Sequence, residues 1–136
     1  MEQRGFQHQA LIYAGANEYL AGTMPFVHDA LIAGEPLLVA VPEERCELIA
    51  AELGPDAERV LFVDMAKVGH NPASIIPLWR DFVEDNPGTP VRGIGEPAWA
   101  ARSEAALDEC HRHEGLLNVA FFPASTWSLL CPYDAE

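Results

Sequence analysis

Pro36-Leu37-Leu38-Val39-Ala40-Val41, followed after Pro42 by Glu43-Glu44-Arg45-Cys46-Glu47-Leu48-Ile49-Ala50-Ala51-Glu52-Leu53, sets a short apolar run directly before a helical pattern. The same alternation recurs five times along the chain. It is the signature of an α/β domain built around a largely parallel sheet. Strands are expected at 10–14, 36–41, 60–63, 91–94 and 127–131, with helices at 17–33, 43–53, 72–85 and 103–121. Pro25 and Pro77 fall inside two of these helices, so each is expected to bend or restart there, with Thr23 or Ser74 capping the restart.

In such sheets ligands bind beyond the carboxyl ends of the strands. That rule selects Tyr13, Gly15 and Asn17 after the first strand, Pro42 and Glu43 after the second, and Asp64 and Met65 after the third. Gly95, Glu96 and Trp99 follow the fourth, and Pro132, Tyr133 and Asp134 the fifth. The first loop has the placement of a phosphate cradle without its chemistry. Six residues, not four, separate Gly15 from Gly22, and Thr23 follows with no lysine to meet the phosphates. ATP hydrolysis is therefore not expected there, although nucleotide binding by another route stays open.

Gly93-Ile94-Gly95-Glu96-Pro97-Ala98-Trp99 is more informative. Two glycines at a strand end allow close backbone approach, and Pro97 forces Glu96 out of helical geometry. Glu96 reads as a functional carboxylate at the rim. Trp99 either covers a bound molecule or packs on the next helix, the commoner fate of a lone tryptophan.

The last helical stretch carries a polar row on an apolar face. From Ser103 as N-cap, Leu107, Cys110, Glu114, Leu117 and Phe121 share one side, and Cys110, Glu114 and Asn118 stand one turn apart. A carboxylate at that position needs an arginine, hydrogen-bond donors, a metal or a raised pKa. An ion pair with Arg92 or Arg80 and a direct ligand contact are both consistent with it.

Cys110, His113 and Cys131 raise the question of metal, but the paired CxxC spacing of a structural zinc site is missing, and no metal or cofactor is expected. A cysteine nucleophile is disfavoured because mid-helix and mid-strand thiols are poorly exposed. Asn71-Pro72 with Ile75, Ile76, Trp79, Phe82 and Val83 reads as a capped amphipathic helix that carries packing.

At 136 residues the chain is one domain, large enough to bury a core without staples. A net charge of -13 with only 8 Lys+Arg argues against nucleic acid and anionic membrane as partners. An odd count of 3 cysteines and no leader pattern after Met1 fit a reducing cytoplasm. No apolar run approaches the roughly 20 residues of a bilayer span.

The ordered set of motifs resembles the sensory domain family named for methanogens and methylotrophs (MEDS). The resemblance rests on Glu18-Tyr19-Leu20-Ala21-Gly22-Thr23, Pro25-Phe26-Val27, Gly34-Glu35-Pro36, Asn71-Pro72, Ile76-Pro77-x-Trp79 and Arg92-Gly93-Ile94-Gly95-Glu96-Pro97-x-Trp99. It continues through Glu109-Cys110, His113-Glu114, Leu117-Asn118 and Leu130-Cys131-Pro132-Tyr133-Asp134. The likeness is nearest to versions at the N-terminus of histidine-kinase-like or anti-sigma-factor-type ATPases.

The resemblance implies a RecA/KaiC-like three-layer core with a degenerate P-loop. It also implies an input module for a fused or partner effector such as a kinase-like ATPase, and a small ligand such as a hydrocarbon derivative. Members usually continue beyond the Pro-Tyr-Asp motif, so the chain is expected to be excised or a short variant. The sensory reading places a pocket between the fourth-strand loop and the last helix. Glu96 and Glu114 orient the ligand, His113 and Asn118 give switchable hydrogen bonds, Trp99 and Tyr133 close the apolar side, and Tyr13 and Cys110 complete the lining. The rival reading is a protein-interaction or homodimerisation module without a small-molecule site. Catalysis is not expected.

Overall fold

The computed structural model describes residues 6–68, 75–96 and 127–134. Five strands, β1 (Phe6–Tyr13), β2 (Leu37–Val41), β3 (Leu61–Asp64), β4 (Val91–Gly95) and β5 (Trp127–Asp134), form one sheet in the order β1-β5-β4-β2-β3. Every pairing is parallel. Among the described residues four helices accompany them: α1 (Gly15–Ala33), α2 (Glu43–Leu53), α3 (Met65–Val68) and α4 (Ile75–Glu84). A 3-10 segment, Gly54–Arg59, joins α2 to β3.

Alternation along the strands builds two cores. Leu37, Val39 and Val41 of β2, Ile94 of β4 and Leu130 of β5 pack beneath α1 and α2 with Tyr19, Val27, Ala30 and Ile49. Leu38 and Ala40, Val91, and Trp127, Leu129 and Cys131 face the other way, against Met65 of α3 and Trp79 and Phe82 of α4. β2 is buried along its whole length because helices cover both faces, as parallel sheets require. The described elements thus form three layers, helix on sheet on helix.

β1 begins four residues before the expected start. Its polar residues Gln7, His8 and Gln9 pair in register with Ser128, Leu129 and Leu130, and an edge strand tolerates polar side chains on its open flank. β5 runs on past Cys131 through Pro132 to Asp134, pairing there with β1 alone. The missing N–H of Pro132 therefore leaves no gap in the ladder to β4.

The restart expected at Pro25 does not occur. α1 is continuous with Pro25 inside it, and Thr23 lies mid-helix, its hydroxyl donating to the Tyr19 carbonyl at 2.8 Å rather than capping a new turn. Burial of Tyr19, Thr23, Met24, Val27, Ala30 and Leu31 along one face holds the helix together through the proline. Pro77 sits in the first turn of α4, where backbone N–H groups have no intrahelical acceptor. Ser74, Asn71 and Pro72 lie outside the described residues.

Candidate functional site

Tyr13, the last residue of β1, and Glu96, the first residue after β4, meet at the carboxyl end of the sheet. Glu96 prolongs the ladder, its N–H donating to the Ala40 carbonyl at 3.0 Å, and its side chain is only 1% exposed. The Tyr13 hydroxyl donates to Glu96 Oε2. The same phenol oxygen accepts from Arg45 Nε at 3.1 Å and from Arg45 Nη2 at 3.0 Å. Arg45 Nε stands 3.9 Å from Glu96 Oε2, an ion pair with one buried partner and one that is 23% exposed.

Tyr19, on the second turn of α1, completes the group. Its ring meets that of Tyr13 edge to face with centroids 4.8 Å apart, and the Arg45 guanidinium carbon lies 5.3 Å from the Tyr19 centroid and 5.4 Å from that of Tyr13. The Tyr19 hydroxyl is buried and makes no hydrogen bond among the described residues.

The electrostatics reinforce one another. Burial, and then the hydrogen bond and charge of Glu96, push the Tyr13 phenol well above its usual range, with Arg45 opposing. Burial and the charges of Glu96 and Tyr13 do the same to Tyr19. Burial works against the Arg45 charge, but the Tyr13 hydrogen bond and the neighbouring Tyr13, Glu96 and Tyr19 hold the guanidinium pKa above its ordinary value. Both phenols stay protonated and Arg45 stays charged across the physiological range.

The structure brings together two of the residues expected from sequence, Glu96 and Tyr13. Tyr133 lies within β5 opposite Ile12 rather than in a loop, and is partly buried against the core on the face opposite Tyr13. Trp99, Cys110, His113, Glu114 and Asn118 lie outside the described residues, as does the whole 103–121 stretch. Arg92, a suggested partner of Glu114, donates from Nε to Glu35 at 2.7 Å and from Nη1 to Asp29 at 3.3 Å.

Gly93 and Gly95 answer to packing. A Cβ on Gly93 would come within 2.4 Å of the Trp79 ring and one on Gly95 within 3.0 Å, so the close approach these glycines permit is that of an indole.

Arg45 and Tyr19 were not singled out from the sequence. The available signal was an arginine close behind β2, one of only 8 Lys+Arg, in a turn otherwise filled with Glu43, Glu44 and Glu47. A buried carboxylate at Glu96 calls for such a cation.

β1 passes into α1 through Ala14 alone, leaving no loop to cradle a phosphate. The Glu18 carboxylate accepts from the Ala14 N–H at 2.8 Å, placing negative charge at the helix start. Cys131 Sγ lies 3.1 Å from His8 Nε2 across the β1–β5 pair. No group of three or more His, Cys, Asp and Glu suited to a metal occurs among the described residues. A shallow groove of about 340 Å³, lined by Gln9, Gly22, Pro25, Phe26, Asp29 and Leu130, lies between α1 and the β1–β5 strands and shares no residue with the cluster. No helix among the described residues is long and apolar enough to cross a membrane.

The fold and the cluster define a parallel α/β domain with a buried polar group at the carboxyl end of its sheet. Residues 7–136 match the model of the MEDS family, described as the methanogen/methylotroph, DcmR sensory domain, and the chain belongs to that family. Comparison with curated proteins and with solved structures returned no match. Membership in a sensory family gives the chain a signal-input role and points to a non-catalytic module.

Proposed function

We propose that the chain is a cytoplasmic input domain whose small-molecule site is built on the Tyr13–Glu96–Arg45–Tyr19 cluster, and that occupancy of this site regulates a fused or partner kinase-like ATPase effector. One observation carries the reading: an ion pair and two phenols are gathered inside the domain at the carboxyl ends of the strands, where open parallel sheets receive ligands. Burying a charge pair is an expensive way to hold a fold together, since apolar residues of like volume do so at least as well. Such groups are more at home where they are used.

A RecA/KaiC-like ancestry is supported by helices on both faces of an all-parallel sheet and by the position of the β1–α1 junction. There the single connecting residue and the Glu18 carboxylate suit a nucleotide site whose chemistry has gone. The remaining lining, Trp99, Cys110, His113, Glu114 and Asn118, is proposed from sequence. Apolar walls from that stretch would favour a ligand of mixed character, such as a small hydrocarbon derivative with a polar end. An interaction module without a ligand site is less well supported, because the large apolar residues exposed among the described ones, Ile12, Ile32 and Leu61, are dispersed over β1, α1 and β3, with β1 and β3 at opposite edges of the sheet.

The test is native mass spectrometry of the freshly purified domain, exposed to the small-molecule fraction of its producing cells, beside a denatured control and the Glu96→Gln variant. A small-molecule adduct that is lost on denaturation and missing from the folded variant is the expected result. Bare protein mass in both samples would turn the assignment towards the interaction module.

A further inference from the structure

The rings of Tyr13 and Tyr19 and the carboxylate of Glu96 make a cage whose chemistry suits a cation, and the chain fills it with its own. The Arg45 guanidinium carbon lies 5.4 and 5.3 Å from the two ring centroids, within the range of a cation held by aromatic faces. It pairs with Glu96 and donates twice to the Tyr13 oxygen. Tyr19, 0% exposed, adds its buried hydroxyl as a further oxygen in the same cage. We propose that this cage is a recognition site for a small organic cation with a guanidinium or ammonium head, and that Arg45 is a tethered occupant which such a ligand displaces. The proposal rests on the sensory reading of the cluster and adds to it the chemical class of the ligand.

Charge balance selects the class. A neutral molecule that displaced Arg45 would take away the guanidinium paired with Glu96 and bring no charge in its place. An anion would bring a second negative charge against it. A cation restores the balance, and the Tyr19 oxygen adds an acceptor for one of its N–H groups.

The mounting of Arg45 favours exchange. It stands in the first turn of α2, where the positive end of the helix dipole works against a cation. Its side chain is 23% exposed, so a path to solvent exists without unfolding the core. The surrounding rim carries Glu18 at the start of α1, Glu43 and Glu44 at the start of α2, and Asp64 at the end of β3. With a net charge of -13, the domain concentrates cations at this end and repels anions.

The test compares methylguanidinium with methylurea, its neutral isostere, by calorimetric titration at constant ionic strength. The proteins are the wild type, Arg45→Ala, and Arg45→Ala combined with Glu96→Gln, each checked for folding by circular dichroism. Removing the tethered competitor should tighten methylguanidinium binding by about ten-fold or more, with methylurea weaker by about ten-fold and the double variant losing the gain. Equal binding of the two probes, or no tightening in folded Arg45→Ala, overturns the cation assignment, while the adduct experiment decides the sensory reading on its own. If Arg45→Ala does not fold, wild-type spectra decide. Shifts of the Tyr13 and Tyr19 ring resonances and of the Arg45 Nε–H with methylguanidinium alone support the proposal, and equal or absent responses overturn it.

Discussion

The phenol oxygen of Tyr13 is the hinge of the cluster, donating to Glu96 while accepting twice from Arg45. Tyr13→Phe removes both roles with little change of shape, and urea unfolding should show a loss of about 1–3 kcal/mol. Glu96→Ala removes the buried carboxylate that pairs with Arg45 and accepts from Tyr13, and about 3–5 kcal/mol is expected from the same measurement. The alkaline limb of stability has a defined sign. Tyr13 and Tyr19 both have folded pKa values raised above the tyrosine reference of 10.0, so their contribution is fully present below that pH and is lost as pH rises through the folded values. A spectrophotometric titration at about 295 nm should show their phenolate signal arriving late and together with unfolding. Cys46 follows the same logic, since burial pushes its thiol up to about 11. A thiol reagent at neutral pH should label it far more slowly in the folded domain than after denaturation. At this scale the sequence made Glu96 and Tyr13 visible, because each ends or follows a recognisable strand. Arg45 and Tyr19 escaped notice because a cation over aromatic faces is a relation between elements distant in the chain, and no local period encodes it.

Elements impose their own conditions, and two glycines show how. Gly34 ends α1 at φ 71°, with its N–H donating to the Ala30 and Leu31 carbonyls and that of Glu35 returning to Ala30 at 2.9 Å. A side chain there strains the left-handed residue, and Gly34→Ala should lower stability by about 1–2 kcal/mol in thermal or chemical unfolding. Gly93 instead lies beneath the Trp79 indole, itself packed on Trp127 with centroids 5.3 Å apart. Gly93→Ala must move a ring fixed in the core, and a destabilisation of about 1–3 kcal/mol is expected, with the near-ultraviolet dichroism of the tryptophans altered. Helical and strand periods placed most of the described elements close to where they lie. The restart expected from the proline failed at Pro25, where a local helix breaker is outweighed by the buried face of α1, and the apolar period failed at the start of β1, where ladder bonds to β5 recruit residues with no apolar alternation.

Across the whole molecule, 21 acidic against 8 basic side chains generate self-repulsion that opposes the compact state. Salt should relieve it. The melting temperature is expected to rise as sodium chloride increases from about 0.02 to 0.3 M, because the screening length falls from tens of ångströms towards single-residue dimensions. The alternation of apolar runs with helical patterns was sufficient by itself to determine an α/β domain with a mainly parallel sheet, since residue periods are local and each element must bury its apolar face. The ordered motifs were sufficient to determine the sensory family. The strand order β1-β5-β4-β2-β3 was decided by the tertiary structure alone, as was the placing of Tyr133 on the opposite face from Tyr13. So was the meeting of Arg45 from α2 with Tyr13 from β1, Tyr19 from α1 and Glu96 from the end of β4. Strand neighbours and charge partners far apart in the chain are chosen by which packing compensates every buried group at once, a global condition that no segment of sequence contains.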